Sequence, residues 1–218
     1  MTSSHTQALR KIVPFLLLPA GVGLLFKMAI APSLAQTVLA FALAIFCPEL
    51  TRMAWIDLKN IEIIATDQAS ATVTNTVSST ASSTVTPSIS ATQIEPSAEH
   101  LDQTQQLHRF RTVVVSTIVL EATGFYLTFL SLPVGATAIM LSQVWFNLLA
   151  AVQLQPSQPV PVVPFGIRDR RAVLAVNAIT AGLLCLWPIP SMRLGLAVAL
   201  LTLVTLFLAI KYGYLKSA

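Results

Sequence analysis

The chain has 218 residues, of which 55% are hydrophobic and only 10% charged, and its mean hydropathy is +0.74. Soluble domains carry about 25% charged residues, so these figures exclude an ordinary water-soluble globule and, for most of the length, intrinsic disorder. Thirteen Lys and Arg against nine Asp and Glu leave a formal charge of +4, but the basic residues stand beside apolar runs instead of forming one patch, which predicts no nucleic-acid partner.

A helix that crosses a bilayer needs about 20 mainly apolar residues, and six stretches meet that requirement. The first, 12–30, follows Arg10 and Lys11 and contains Pro14, Pro19 and Lys27. Ser33-Leu34-Ala35 before Gln36 has the form of a signal-peptide cleavage site. Lys27 interrupts the apolar run, however, and residues 37–47 are again strongly apolar, so a retained helix is expected, with Lys27 snorkelling to the outer interface. The second stretch, 34–55, is the weakest, because Pro48, Glu49 and Arg52 interrupt its second half. Proline removes a backbone donor and opens a helix, which predicts a short span running into an interfacial helix that carries Trp55. Glu49 and Arg52, three apart, are spaced to pair locally.

Residues 66–99 differ in kind. Sixteen of the 34 are Ser or Thr and none is aromatic, a composition that cannot bury enough apolar surface to offset its ordering entropy. A disordered, flexible cytoplasmic linker is expected there. It would divide the chain into an N-terminal two-helix membrane part (1–65), the linker (66–108) and a C-terminal four-helix membrane part (109–218).

The remaining spans are expected at 112–131, 134–154, 172–188 and 193–213. Trp187 reads as an outer interfacial anchor, and Tyr212 and Tyr214 beside Lys211 and Lys216 as an inner one. Gly195, Ala199 and Thr202 share a face that favours close helix approach.

The basic residues set the orientation, since cytoplasmic flanks carry the excess of Lys and Arg. With the N-terminus inside and six alternating spans, the inner side holds eleven of the 13 basic residues: Arg10, Lys11, Arg52, Lys59, Arg109, Arg111, Arg168, Arg170, Arg171, Lys211 and Lys216. Only Lys27 and Arg193 fall outside. Spans in lipid must satisfy their own backbone, and the apolar runs lack the alternation of a β-barrel. The fold class read from the sequence is therefore all-α, a polytopic integral membrane helical bundle of about six helices with both termini cytoplasmic. Short outer loops and the lack of any N-x-[ST] sequon point to a bacterial-type plasma membrane or an organellar or thylakoid membrane.

Glu121 is the sharpest chemical feature. It lies ten residues beyond Arg111, about 15 Å along a helix, near the bilayer midplane, where an ionised carboxylate costs roughly 3 kcal/mol or more. Thr117, Glu121, Gly124 and Thr128 share one helix face that should turn toward other helices. Gln143 and Asn147 are four apart on the next span, and Asn177 lies at a similar depth on the fifth. Glu121, Gln143, Asn147 and Asn177 form a candidate polar cluster. It would either bind a proton, cation or small polar solute, or hold the helices together by hydrogen bonds. A set with one ionisable group favours the second.

Enzyme signatures are missing. His5, His100 and His108 all fall outside the spans, and no HExxH, GxSxG, P-loop or CxxC pattern occurs, so no catalytic residue, cofactor or metal is expected. Cys47 and Cys185 lie at different depths and are expected as free, buried thiols. The reading is a non-enzymatic accessory, assembly or scaffold component whose partners are the bilayer and other membrane proteins. The alternative is a small transporter or channel that uses Glu121 as its proton- or cation-binding group.

Overall fold

The computed structural model describes the backbone of residues 2–81, 98–150 and 167–217 and the side chains of 6–66, 105–150, 173–209 and 212. Six helices make up most of the described residues: α1 (Thr2–Ala29), α2 (Leu34–Ala81), α3 (Ala98–Leu130), α4 (Leu132–Leu149), α5 (Ile167–Leu184) and α6 (Arg193–Ser217), with a short 3-10 turn at Pro190–Met192 before α6. Five stretches are long and apolar enough to cross a membrane: Thr6–Ala29, Leu34–Thr66, Gln105–Leu130, Leu132–Leu149 and Pro190–Ala209.

Within the fifth expected span, 172–188, the helix α5 runs to Leu184, and the part of it whose side chains are described, Val173–Leu184, is apolar and about 18 Å long at 1.5 Å per residue. The helix stops because Pro188 and Pro190 follow. Cys185, Leu186 and Trp187 already donate their amides three residues back, to Gly182, Leu183 and Leu184, which tightens the last turn. Trp187, expected at the outer interface, is instead buried, because this turn folds its ring onto the bundle.

The second span, expected to be short and interrupted, is continuous through Pro48. Tertiary packing outweighs the lost backbone bond: Leu39, Leu43, Cys47, Leu50, Leu58 and Ile61 are fully or almost fully buried along one stripe of α2. Burial ranks the helices. Of the apolar stretch of α2, 61% is buried, against 22% for α1 and 17% for α6. α2 is the central rod, packing against α1, α3, α4 and α6, and the hydrophobic core runs without a break from α1 to α6.

Both ends of the expected linker are helical, since α2 continues to Ala81 and α3 begins at Ala98; residues 82–97 lie outside the described residues. An established helix extends at the gain of one bond per residue, and neither Gly nor Pro occurs between Thr66 and Ala81 to stop it. The segment 151–166 also lies outside the described residues.

Contacts fix the helix directions. Arg10 pairs with Glu62 at 2.6 Å, and the Cys47 thiol donates to the Leu17 carbonyl at 3.2 Å, so α1 and α2 are antiparallel. Phe46 meets Phe207 edge-on with centroids 6.3 Å apart, and Glu49 meets Tyr212, so α2 and α6 run parallel. Trp145 reaches back to Ser116 while Gly135 packs against Thr128, which makes α3 and α4 an antiparallel hairpin.

That hairpin is tight because of two glycines. A Cβ on Gly135 would collide with the Thr128 backbone, and one on Gly124 would come within 3.0 Å of the Ile139 backbone nitrogen. At the same end, Lys27 donates to the carbonyls of Thr128 and, at 2.9 Å, Phe129. These are orphan acceptors of the last turn of α3, so Lys27 caps a neighbouring helix. Arg193 does the same for the turn after α5, donating to the Trp187 carbonyl at 3.0 Å. Cys47 is buried but Cys185, in the turn that follows α5, is exposed.

Gly135→Ala should lower stability by about 1–3 kcal/mol, the usual cost of overpacking. Gly195→Ala, where the new methyl meets open space, should leave stability unchanged or raised. Thermal unfolding of the purified variants in one detergent checks both.

Candidate functional site

The polar face of α3 is buried as a unit: Thr117, Glu121, Gly124 and Thr128 all lie inside the bundle. The two threonines satisfy themselves locally. Thr117 donates to the Val113 carbonyl at 2.8 Å and Thr128 to the Phe125 carbonyl at 2.5 Å. Glu121 cannot do so, because a carboxylate carries only acceptors when ionised. It takes its donor from the facing helix: the Gln143 amide nitrogen lies 2.5 Å from Oε1. Glu121 is 3% exposed and Gln143 5%, so the pair is shut between α3 and α4. The second oxygen, Oε2, is buried without a hydrogen-bond partner, as is Oδ1 of Asn60 on α2. Asp57, also on α2, lies within electrostatic reach of Glu121.

The other two members of the expected cluster do not join this pair. Asn147 turns its amide back onto its own helix, donating to the Gln143 carbonyl at 2.7 Å. Asn177 is half-buried on α5, a helix that packs on α4 and α6 and, among the described residues, makes no close contact with α3. The structure thus joins Glu121 with Gln143 and leaves Asn147 and Asn177 apart from them.

A second polar centre ties α6 to α2. Arg52 holds Glu49 with two parallel bonds of 3.2 Å, and the Tyr212 hydroxyl donates to the same carboxylate at 3.1 Å. The guanidinium lies 5.6 Å from the centroid of the Tyr212 ring, within cation–π range. Glu49 is buried, so its charge depends on these partners. The carboxylate that accepts the Tyr212 hydroxyl also raises that phenol's pKa above its ordinary value. The spacing of Glu49 and Arg52 was readable in the chain, but Tyr212, 163 residues from Glu49, carries no local signal of the contact. A third cluster holds the start of α1: the Trp55 ring has Arg10 on one side chain contact and Lys59 on another, each 5.6 Å from its centroid.

Among the described residues no three His, Cys, Asp or Glu side chains stand together in a way that could hold a metal ion. No known protein family, curated protein or solved structure matches this chain. Its chemistry is therefore read from these side chains alone.

The pairing of Glu121 with Gln143 sets an expectation for a double-mutant cycle. Gln143→Leu should cost about 1–3 kcal/mol, because it strands a buried acceptor. The same change made in a Glu121→Leu background should cost much less. Unfolding in detergent measures the coupling, and strictly additive losses would show that the two side chains act independently.

Proposed function

We propose that this chain is a non-enzymatic, multi-pass integral membrane protein that serves as an accessory, assembly or scaffold component of a larger membrane complex. The observation that carries this reading is how the mid-span polar groups are spent. Glu121 and Gln143 are closed against each other and tie α3 to α4, Asn147 is turned onto its own backbone, and Asn177 stands on a helix that, among the described residues, does not touch α3. The four groups do not converge on a solute.

Six crossings are part of the proposal, and the parallel run of α2 and α6 supports them. Two parallel neighbours in a bilayer need an odd number of crossings between them, which α3, α4 and α5 supply. The short apolar stretch of α5 then spans with help from the apolar turn 185–189 and a locally thinned bilayer. Both termini fall on the basic, cytoplasmic side of a bacterial-type or organellar membrane. The exposed apolar side chains of α1, among them Phe15, Val22 and Phe26, face lipid or a partner subunit.

A second reading, a small transporter or channel with Glu121 as its proton- or cation-binding group, has one observation in its favour. The unpartnered Oε2 of Glu121, with Asp57 in electrostatic reach, is the kind of buried acceptor that a proton or cation would satisfy.

Two measurements separate the readings. Extraction in a mild detergent should yield a species that contains a second protein and exceeds the mass of the 23.4 kDa chain; a strictly monomeric species that co-purifies with nothing contradicts the scaffold reading. Glu121→Gln keeps the shape and removes the charge. The transporter reading expects that substitution to abolish a proton- or cation-dependent flux in proteoliposomes, and an unchanged flux excludes it.

A further inference from the structure

The inner ends of α3 and α4 enclose a groove of about 400 Å³ that is not absorbed by the reading above. It has two chemically distinct parts. Gln105, His108 and Arg109 of α3 supply donors and positive charge; Trp145 and Leu149 of α4, with Val113, supply an apolar wall. The spacing makes this one surface: Gln105, Arg109, Thr112 and Ser116 repeat at four, three and four residues along α3, while Trp145 and Leu149 are four apart on α4. The Trp145 ring is not loose. Its indole nitrogen donates to the Ser116 hydroxyl at 2.9 Å, and that hydroxyl donates to the Val113 carbonyl at 2.9 Å, which pins the ring as a wall while leaving it 44% exposed. Neither His108 nor Arg109 is ion-paired with an acidic side chain among the described residues.

We propose that this groove is a binding site for one anionic phospholipid of the inner leaflet. The inference rests on the membrane reading given above. The phosphate would take the donors of Arg109, His108 and Gln105, and an acyl chain would lie along Trp145, Val113 and Leu149. Charge complementarity selects an anionic headgroup over a zwitterionic one. The apolar wall selects a lipid over a free phosphate, because a soluble anion gains nothing from covering the exposed Trp145 ring and the half-buried Leu149. Basic residues between helices at the cytoplasmic surface are a recognised form of lipid headgroup pocket, and the oriented indole gives this one a defined floor.

Trp145 is itself the reporter. In the full chain carrying Trp55→Phe and Trp187→Phe, it is the remaining tryptophan. The protein is reconstituted in phosphatidylcholine vesicles that contain a minor fraction of either acyl-brominated phosphatidylglycerol or acyl-brominated phosphatidylcholine. The phosphatidylglycerol should quench Trp145 several-fold more strongly at equal fraction. Arg109→Gln should lower its apparent affinity about fivefold, the usual effect of one basic residue near an anionic surface. Arg111→Gln, outside the groove, should have a much smaller effect. Equal quenching by the two lipids overturns the site but leaves the membrane reading intact, whereas quenching by neither overturns both. Equal losses from Arg109→Gln and Arg111→Gln overturn the site in favour of diffuse surface attraction. Relief of the excess quenching by soluble glycerol phosphate overturns the lipid in favour of a free phosphate.

Discussion

Burying a polar atom on an apolar helix is costly unless another part of the chain meets it, and that constraint organises this bundle. Four contacts meet it. Gln143 of α4 answers Glu121 of α3; Arg52 and Tyr212 answer Glu49 and tie α6 to α2; Lys27 of α1 caps the end of α3; Arg193 caps the turn after α5. Two of the four, Tyr212 with Glu49 and Lys27 with the end of α3, join helices distant in sequence, so they help to set which helices are neighbours, a choice that non-directional apolar packing leaves open. An unmet buried acceptor costs about 1–3 kcal/mol, a large fraction of the stability of a typical domain.

The same constraint accounts for Lys27 and Arg193. Lys27 donates to carbonyls at the C-terminal end of α3, where a cation is favoured by the helix dipole as well as by the orphan acceptors, and Arg193 donates to the Trp187 carbonyl in the turn after α5. Both have a local structural reason to be where they are. The central position of α2 follows from its stripe of small and medium apolar residues, which lets α1 and α6 close on it from either side. Where the approach is closest, between α3 and α4, glycine replaces them.

Much of this was legible in the residues. Apolar length located α1, α3, α4 and α6, because the requirement for spanning length is blunt and local. Glu121 stood out by its depth, and Gln143 by its place on the facing span. What local pattern could not convey was competition with tertiary packing. Pro48 reads as a break, yet α2 passes through it because its flanking leucines are buried. The Ser- and Thr-rich stretch reads as a linker, yet helix extends into both of its ends, since propagation depends on the helix already formed upstream. Asn147 reads as a companion of Gln143 on one face, but its amide bonds its own backbone, a choice that helical spacing does not reveal. The role of Tyr212 was invisible for the same reason as any contact across 163 residues.

The account stands on an even number of crossings, with the start of α1, the end of α6 and the start of α3 on one side of the bilayer. Single cysteines, introduced into a chain with Cys47 and Cys185 replaced, test this directly when intact cells are treated with a membrane-impermeant thiol reagent. Cysteines at Ser33, Ser131 and Ser191 should react, and cysteines at Ala8, Gln105 and Ser217 should react only after the membrane is opened. Labelling of Ser217→Cys in intact cells while Ala8→Cys stays protected would mean that α5 does not cross, and would contradict the six-helix arrangement.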